Sequence, residues 1–592
     1  MKSRARWRLG CVAMATLVLV GNLAQAAEKR PNIVLLLADD WGFSDVGAFG
    51  GEIATPNLDA LAAQGTRFAN FHVAASCAPT RSMLMTGVDN HRNGVGNMPE
   101  TIPLSHEGQP GYEGVLNDRV VTVASLLRDS GYHTYVSGKW HLGHEPRNLP
   151  PARGFERSLI QADSGSDNWE MRPYLMLKPQ VAWYEEGKTL TSLPADYYSS
   201  TFFINKAIEH IESNRGSQQP FFSYIAFQAN HIPLQAPRAF IDKYRGQYDA
   251  GWHVLRQQRR QRAIDLGLIG KEAAMVEMAS TTDWDALSES EQAYEARRME
   301  VYAGMADAMD HEVGRLVDYL RKSGQYDNTV FLFLSDNGAE ASDPYAVRSG
   351  QLWLDWQYDR SLERLGSKGA YAIIGPSWAS AAASPLSTYK FYAGEGGLRV
   401  PLIIAGVAGA ATNQIQHSFA HVTDLAPTLL ALAGLQPPAG QYQGRQVEPM
   451  IGRSLLGVLQ GQTPSAHPPE QPIGYELSGN AVIFKGDYKL VKNIPPVGDD
   501  RWHLYDIRQD PGEVHDLQQQ MPERFIAMQA DYAAYANANG VLPMPAGYDP
   551  ISQVQINALV NVFLPLLLKP ALLLAALVAG GVWYRRRRRH QS

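Results

Sequence analysis

Asn32-Ile33-Val34-Leu35-Leu36-Leu37-Ala38-Asp39-Asp40 decides the fold. A continuous apolar run ends abruptly in two carboxylates. A run this short and this uniformly apolar fits a strand buried on both faces of a mostly parallel sheet. Three other stretches share the form. Residues 132–136 lead into Gly138-Lys139-Trp140-His141, and residues 221–227 lead into Asn230-His231. Val330-Phe331-Leu332-Phe333-Leu334 leads into Ser335-Asp336-Asn337-Gly338. Helical patterns lie between these runs, over 57–65 and 121–131, and each ends in glycine. Strand and helix in alternation predict an α/β chain whose sheet is sandwiched by helices. Ligands of such sheets collect at the carboxyl ends of the strands. The four runs are therefore expected to bring Asp39, Asp40, Lys139, His141, His231, Asp336 and Asn337 to one edge.

Cys77 belongs to the same argument. It opens Cys77-Ala78-Pro79-Thr80-Arg81 and is the only cysteine outside the N-terminal segment. Exported cysteines normally pair as disulfides, so a lone one is either a small buried thiol or a reactive centre. Pro79 suits the first residue of a helix over 80–85 that Thr86-Gly87 closes. Cys77 is then expected just ahead of a helix N-terminus, where free amides favour anions.

Asp39, Asp40, Asp336 and Asn337 offer hard oxygen donors without sulfur or imidazole. That set suits Ca²⁺, or less well Mg²⁺, and disfavours zinc. Each pair alone reads as a turn after a strand; two acidic pairs at the ends of two core strands favour a metal site. Lys139 and His141 stand two residues apart, so an extended backbone points them to one side. With His231 and Lys390 they can form a cationic cup for a tetrahedral anion.

The termini carry their own signals. Lys2, Arg4, Arg6 and Arg8 precede an apolar run and Ala24-Gln25-Ala26, the pattern of a signal peptide over 1–26. Residues 563–584 are apolar apart from Lys569 and two prolines, and five arginines, 585–589, follow. They predict a transmembrane helix with a basic cytoplasmic tail over 585–592; a cleaved sorting signal is the competing reading. The body is then expected on the periplasmic side of a bacterial inner membrane, anchored by its C-terminus. The whole-chain charge of −6 becomes −15 once the four positive charges of the first segment and the five of the tail are set aside. An acidic body argues against a nucleic-acid partner.

Taken together these residues resemble the type I sulfatases of the alkaline phosphatase superfamily. The likeness spans roughly residues 30 to 540. It is strongest to bacterial secreted arylsulfatases, at Ala38-Asp39-Asp40-Trp41-Gly42-Phe43-Ser44-Asp45, Gly138-Lys139-Trp140-His141-Leu142-Gly143 and Gly396-Gly397-Leu398-Arg399-Val400-Pro401. It implies an alkaline-phosphatase-like mixed sheet and hydrolysis of a small sulfate ester. It implies that a maturation system oxidises Cys77 to formylglycine, whose hydrate attacks sulfur, with Arg81 holding it. Asp39, Asp40, Asp336 and Asn337, with residue 77, would bind one calcium ion. Lys139, Lys390, His141 and His231 would line the sulfate pocket, His231 as acid for the leaving group and His141 as base for the second hydroxyl. A phosphonate monoester or phosphodiester hydrolase shares the motif and stays open, as does an inactive sulfated-glycan binding protein. The membrane segment departs from the family's soluble pattern.

The expected organisation is a catalytic domain over 27–440 with a charged helical insertion at about 242–300. A small α+β domain follows over 441–545, then a linker over 546–562. In the small domain, residues 481–484 and 488–491 flank Lys485-Gly486-Asp487 as a hairpin. Residues 503–506 add a strand, and 522–536 a closing helix.

Overall fold

The computed structural model describes residues 29–176, 180–346 and 348–566, together with 568, 570, 577–581 and 583. The apolar runs are the strands of one mixed sheet of ten. They are β1 (Asn32–Ala38), β2 (Gly65–Phe68), β3 (His133–Lys139), β4 (Arg157–Gln161) and β5 (Trp183–Glu185). The others are β6 (Lys188–Thr189), β7 (Phe221–Ala226), β8 (Thr329–Ser335), β9 (Leu402–Ala405) and β10 (Gln414–Gln416). Their order across the sheet is β10-β2-β9-β8-β1-β7-β3-β4-β5-β6.

β8, β1, β7, β3 and β4 are parallel neighbours, and β9 runs antiparallel to β8. Alternation within β1 shows why its run had to be uniformly apolar. Ile33, Leu35 and Leu37 enter one hydrophobic cluster, while Val34, Leu36 and Ala38 enter another. Each face of the strand meets its own core. Gly138 in β3 is required by close approach: φ is +120°, and a Cβ there would lie 1.9 Å from the carbonyl oxygen of Ala226.

Helices surround this sheet. They include α1 (Pro56–Gln64), α2 (Cys77–Thr86), α3 (Val123–Asp129), α4 (Ser199–Ser213), α5 (Gly251–Asp265) and α6 (Glu289–Lys322). α2 starts three residues earlier than the 80–85 helix expected from Pro79, so Cys77 is its first residue and Ser76 its N-cap. Proline is tolerated throughout a first turn, where amides have no intrahelical acceptor to lose. Gly87 closes α2 in the left-handed region, donating its N–H to Met83 O at 2.7 Å.

The second sheet is an antiparallel meander of β11 (Ile473–Leu477), β12 (Asn480–Lys485), β13 (Tyr488–Lys492) and β14 (Trp502–Asp506). Lys485 pairs with Tyr488 around Gly486-Asp487, as a two-residue hairpin requires. α7 (Pro522–Asn539) packs Met528 against Ile483, Leu490 and Leu504. Buried ion pairs tie this sheet to the segment just ahead of β9. Lys489 reaches Glu395 at 2.9 Å and Glu513 at 2.8 Å, and Glu395 also meets His72 at 3.1 Å. Beyond lies α8 (Pro550–Ala558), followed by a wider turn over Leu559–Phe563.

One expectation fails. Among the described residues no helix is long and apolar enough to cross a membrane. This overturns the transmembrane helix over 563–584, and with it the C-terminal anchoring and the placement on the periplasmic face of a membrane. Pro565, Lys569 and Pro570 interrupt the run, and the remainder over 571–584 is shorter than the about 20 apolar residues a bilayer needs. Parts of that stretch, the arginine tail and the expected signal peptide over 1–26 lie outside the described residues.

Candidate active site

The carboxyl ends of four adjacent parallel strands are level. Ala38 pairs with Ser335, Leu37 with Ala226, and Gly138 with Ala226. Backbone bonds continue this alignment past the strands: Asp336 N–H donates to Ala38 O (3.1 Å) and Asp39 N–H to Ala229 O (2.9 Å). The expected residues therefore meet. One ligand atom each from Asp39, Asp40, Cys77 and Asp336 lies within 4.8 Å of the others, and all four residues are buried.

Asn337 completes the oxygen set. Its Nδ2 donates to Asp40 Oδ1 at 2.6 Å, while its Oδ1 is buried without a hydrogen-bond partner. Asp40 Oδ2 is likewise buried and unpartnered. Two orphaned oxygens among buried carboxylates are what a hard cation would satisfy. Burial and the neighbouring Asp336 charge push Asp39 up, and burial lifts Asp40 to about 8 against the pull of Lys390. A divalent ion among them removes the mutual repulsion. The donor set thus fits a Ca²⁺ or Mg²⁺ ion.

Cations ring the acids. Lys139 Nζ donates to Asp39 Oδ2 at 2.6 Å, and Lys390 Nζ to Asp40 Oδ1 at 2.7 Å. Arg81 donates Nε and Nη2 to Asp336 Oδ2 at 2.9 and 2.6 Å, and Nη1 to the carbonyl of Lys139 at 2.9 Å. Burial works against the Asp336 charge, but Arg81, Lys139 and Lys390 together hold its carboxyl below the usual range. Cys77 Sγ lies 3.5 Å from Asp39 Oδ1. Burial and then the Asp336 charge push its thiol well up, so an unmodified Cys77 is a neutral thiol and a poor nucleophile.

Both histidines face this cluster. His231 Nδ1 bonds to Ile232 O at 2.7 Å, and its Nε2 lies 3.9 Å from Asp40 Oδ2. Burial first, then Lys139 and Lys390, hold it well below the ordinary imidazole value. His141 Nε2 meets Glu100 at 3.3 Å, which leaves a buried Nδ1 without a partner. Burial lowers it too. Asp40 and His141 both adopt left-handed backbone, φ 65° and 54°, a cost that non-glycine residues carry mainly at functional sites.

Three features escaped sequence reasoning. Glu340 shares Lys390 with Asp40, its Oε2 lying 2.7 Å from Nζ. Its place two residues beyond Gly338 was a usable signal. Glu100 sits in a loop with no local motif. α8 lines the same cavity, in a stretch expected to be a linker. The insertion contributes no lining residue; instead Arg259 of α5 grips Asp45 (2.5 Å) and Glu52 (2.7 Å), bracing the loop behind Asp39 and Asp40.

An α/β sheet that presents a cysteine, an oxygen-rich cation site and a lysine-lined cup at its carboxyl edge is built for an ester of a tetrahedral anion. The chain belongs to the sulfatase family, enzymes that hydrolyse sulfate esters: the Sulfatase family model matches residues 31–435. A second model, N-sulphoglucosamine sulphohydrolase, C-terminal, matches residues 389–532. An uncharacterised sulfatase of Schizosaccharomyces pombe is 40% identical over 88% of this chain and 96% of its own. The arylsulfatase of Klebsiella aerogenes is 36% identical over 75% of this chain and 96% of its own. Among solved structures, Ps i-CgsB in complex with k-i-k-neocarrahexaose superposes with a TM-score of 0.62 at 23% identity, covering 90% of this chain and 98% of that one. That likeness speaks to the fold alone.

Proposed function

We propose that this sulfatase acts on aryl-type sulfate esters, with residue 77 oxidised to formylglycine and one Ca²⁺ held by Asp39, Asp40, Asp336, Asn337 and residue 77. The observation that carries the reading is the clustering of Asp39, Asp40, Cys77 and Asp336 beside two unpartnered buried oxygens. Bound there, the cation would supply positive charge to the sulfate oxygens. The oxidised residue would supply, as an aldehyde hydrate, one hydroxyl to attack sulfur and a second to expel sulfate.

The chain's own residues do the rest. Lys139 and Lys390, both buried, turn from Asp39 and Asp40 toward the sulfate oxygens. Arg81 fixes Asp336 and so the angle from which position 77 is approached. His231 presents Nε2 to the leaving oxygen, because Nδ1 is committed to Ile232 O. The sulfate charge offsets the two lysines that depress this ring, so it can carry and hand over a proton. His141, oriented by Glu100, offers Nδ1 as the acceptor for a proton leaving position 77.

The test is peptide mass spectrometry of residue 77, with plasma emission for calcium, in a preparation that hydrolyses 4-nitrophenyl sulfate. We expect formylglycine and one calcium per chain. Full activity with intact cysteine would overturn the reading, as would faster hydrolysis of bis-4-nitrophenyl phosphate.

A further inference from the structure

The cavity above Cys77 has a volume of about 390 Å³ and two unlike sides. Its floor carries Lys390, His141, His231 and Glu340. Its outer wall is mainly apolar, with Tyr174 and Trp353 on one flank and Val554, Ala558, Leu559 and Phe563 on the other, and Ser342, Ser349 and Gln555 between them. The second flank belongs to α8 and its following turn. Leu559 is 59% exposed and Ile551 44%, so large apolar surface stands uncovered at this rim.

α8 is docked by its polar face. Asn557 Nδ2 donates to the carbonyls of Glu100 (3.0 Å) and Ile102 (2.9 Å). Gln553 Nε2 donates to Asn557 Oδ1 at 2.8 Å, and both amides are buried. Just upstream, the Tyr548 hydroxyl donates to Thr101 O at 2.8 Å. The i, i+4 amide pair fixes one stripe of the helix, and the stripe one residue on, Val554 and Ala558, is thereby turned to the cavity. The loop it grips carries Glu100, the partner of His141.

We propose that α8 is the leaving-group wall of the active site and selects monosulfate esters of apolar phenols or alcohols over sulfated sugar chains. The proposal rests on the sulfatase reading of the same cavity. A polyanionic glycan needs cations and hydrogen-bond donors beyond the sulfate being cleaved. Among the described residues the lining offers no arginine, and its single lysine, Lys390, already serves Asp40 and Glu340 at 2.7 Å each. Glu100, Glu340 and Asp343 add negative charge. A sugar hydroxyl buried against Val554 or Trp353 loses its water partner, at about tenfold in affinity or more. An apolar group gains there, by about fourfold for each methylene fully buried.

The test uses the full-length protein and phenyl, 4-methyl-, 4-ethyl- and 4-propylphenyl sulfates, whose leaving groups are nearly equal in acidity. For the wild type, kcat/KM should rise about two- to fourfold per methylene. Affinity for the Cys77→Ala variant, measured by calorimetry, should rise in parallel. Val554→Asp should flatten both series and Val554→Leu should keep them. A misfolded fraction lowers every member alike and leaves the slope, so the slope isolates the wall. A flat series in the wild type, an unchanged slope in Val554→Asp, or tighter binding of a sulfated galactosamine hexasaccharide than of 4-propylphenyl sulfate would overturn the proposal. A rising affinity series without turnover supports the wall and sinks only the hydrolysis reading.

Discussion

Arg81 holds Asp336 by a single oxygen. Both Nε and Nη2 donate to Oδ2, at 2.9 and 2.6 Å, so Oδ1 stays turned toward the amide of Asp40 at 3.3 Å. One carboxylate thus faces a permanent cation on one side and the oxygen cluster on the other. Asp336→Ala removes a proposed metal donor and leaves Arg81 buried without its main partner. Calcium content should fall below one tenth of an equivalent, and turnover by at least about 10³-fold, the scale of several kcal/mol of lost charge stabilisation. Plasma emission and steady-state rates read these two effects, and normal values for both would remove Asp336 from the site.

Cys77→Ser offers one hydroxyl where an aldehyde hydrate offers two. It can attack sulfur, but nothing then helps the sulfate to depart, since covalent catalysis is left with only its first step. Intact-protein mass spectrometry after incubation with an aryl sulfate should find a sulfated protein and negligible steady-state turnover. Cys77→Ala should gain no mass. Sustained turnover by the serine variant would contradict the scheme.

His91, in a short helix over 90–93, meets β11 of the second sheet. Its Nε2 lies 2.8 Å from Glu476 and its Nδ1 3.3 Å from Asp89. Burial opposes the charge, but the hydrogen bonds it donates to Asp89 and Glu476 raise its pKa to about 9. Native protein therefore binds this proton more tightly than the unfolded chain, whose imidazole titrates near 6.5. The gain is complete below about pH 6.5 and is lost as pH rises through about 9, on the order of 3 kcal/mol in all. Urea unfolding from pH 6 to 10 should show that decline, and His91→Gln should flatten it.

Lys489 lies between Glu395 and Glu513 with no exposure of its side chain. Lys489→Met takes the shared cation from two buried carboxylates, at about 3–5 kcal/mol. Lys489→Met with Glu513→Gln should recover part of that loss. Denaturant midpoints compare the three proteins, and equal stability of single and double variants would show that the two groups are uncoupled.

The sheet was legible because its strands are short, apolar and abruptly terminated. Asn32–Ala38 has the same bounds in sequence and structure, since both faces needed hydrophobic side chains. Asp39, Asp40, Asp336 and Asn337 were legible for a related reason: they directly follow such runs. Glu100 was not, because it lies in a loop and meets His141 only through tertiary folding. α8 was hidden by the apolar residues that follow it, which drew 563–584 toward a membrane span. Its use emerges only when Asn557 is seen against the carbonyls of Glu100 and Ile102. The start of α2 lies two residues before Pro79, because a proline fits the third position of a helix as well as the first.

The seclusion of Cys77 sets an order of events in the life of the chain. The residue is 1% exposed, and every residue of α2 behind it is buried. Ala75 donates its N–H to the Tyr475 hydroxyl at 2.8 Å and accepts the Phe391 N–H at 2.7 Å, so distant segments hold the backbone beside the thiol in place. A modifying enzyme must enclose the peptide it oxidises, and here that peptide vanishes once 391 and 475 arrive. The proposed oxidation at position 77 would therefore have to precede folding. On that reading a molecule that folds first would keep its cysteine, and the competition between folding and modification would set the yield of active enzyme.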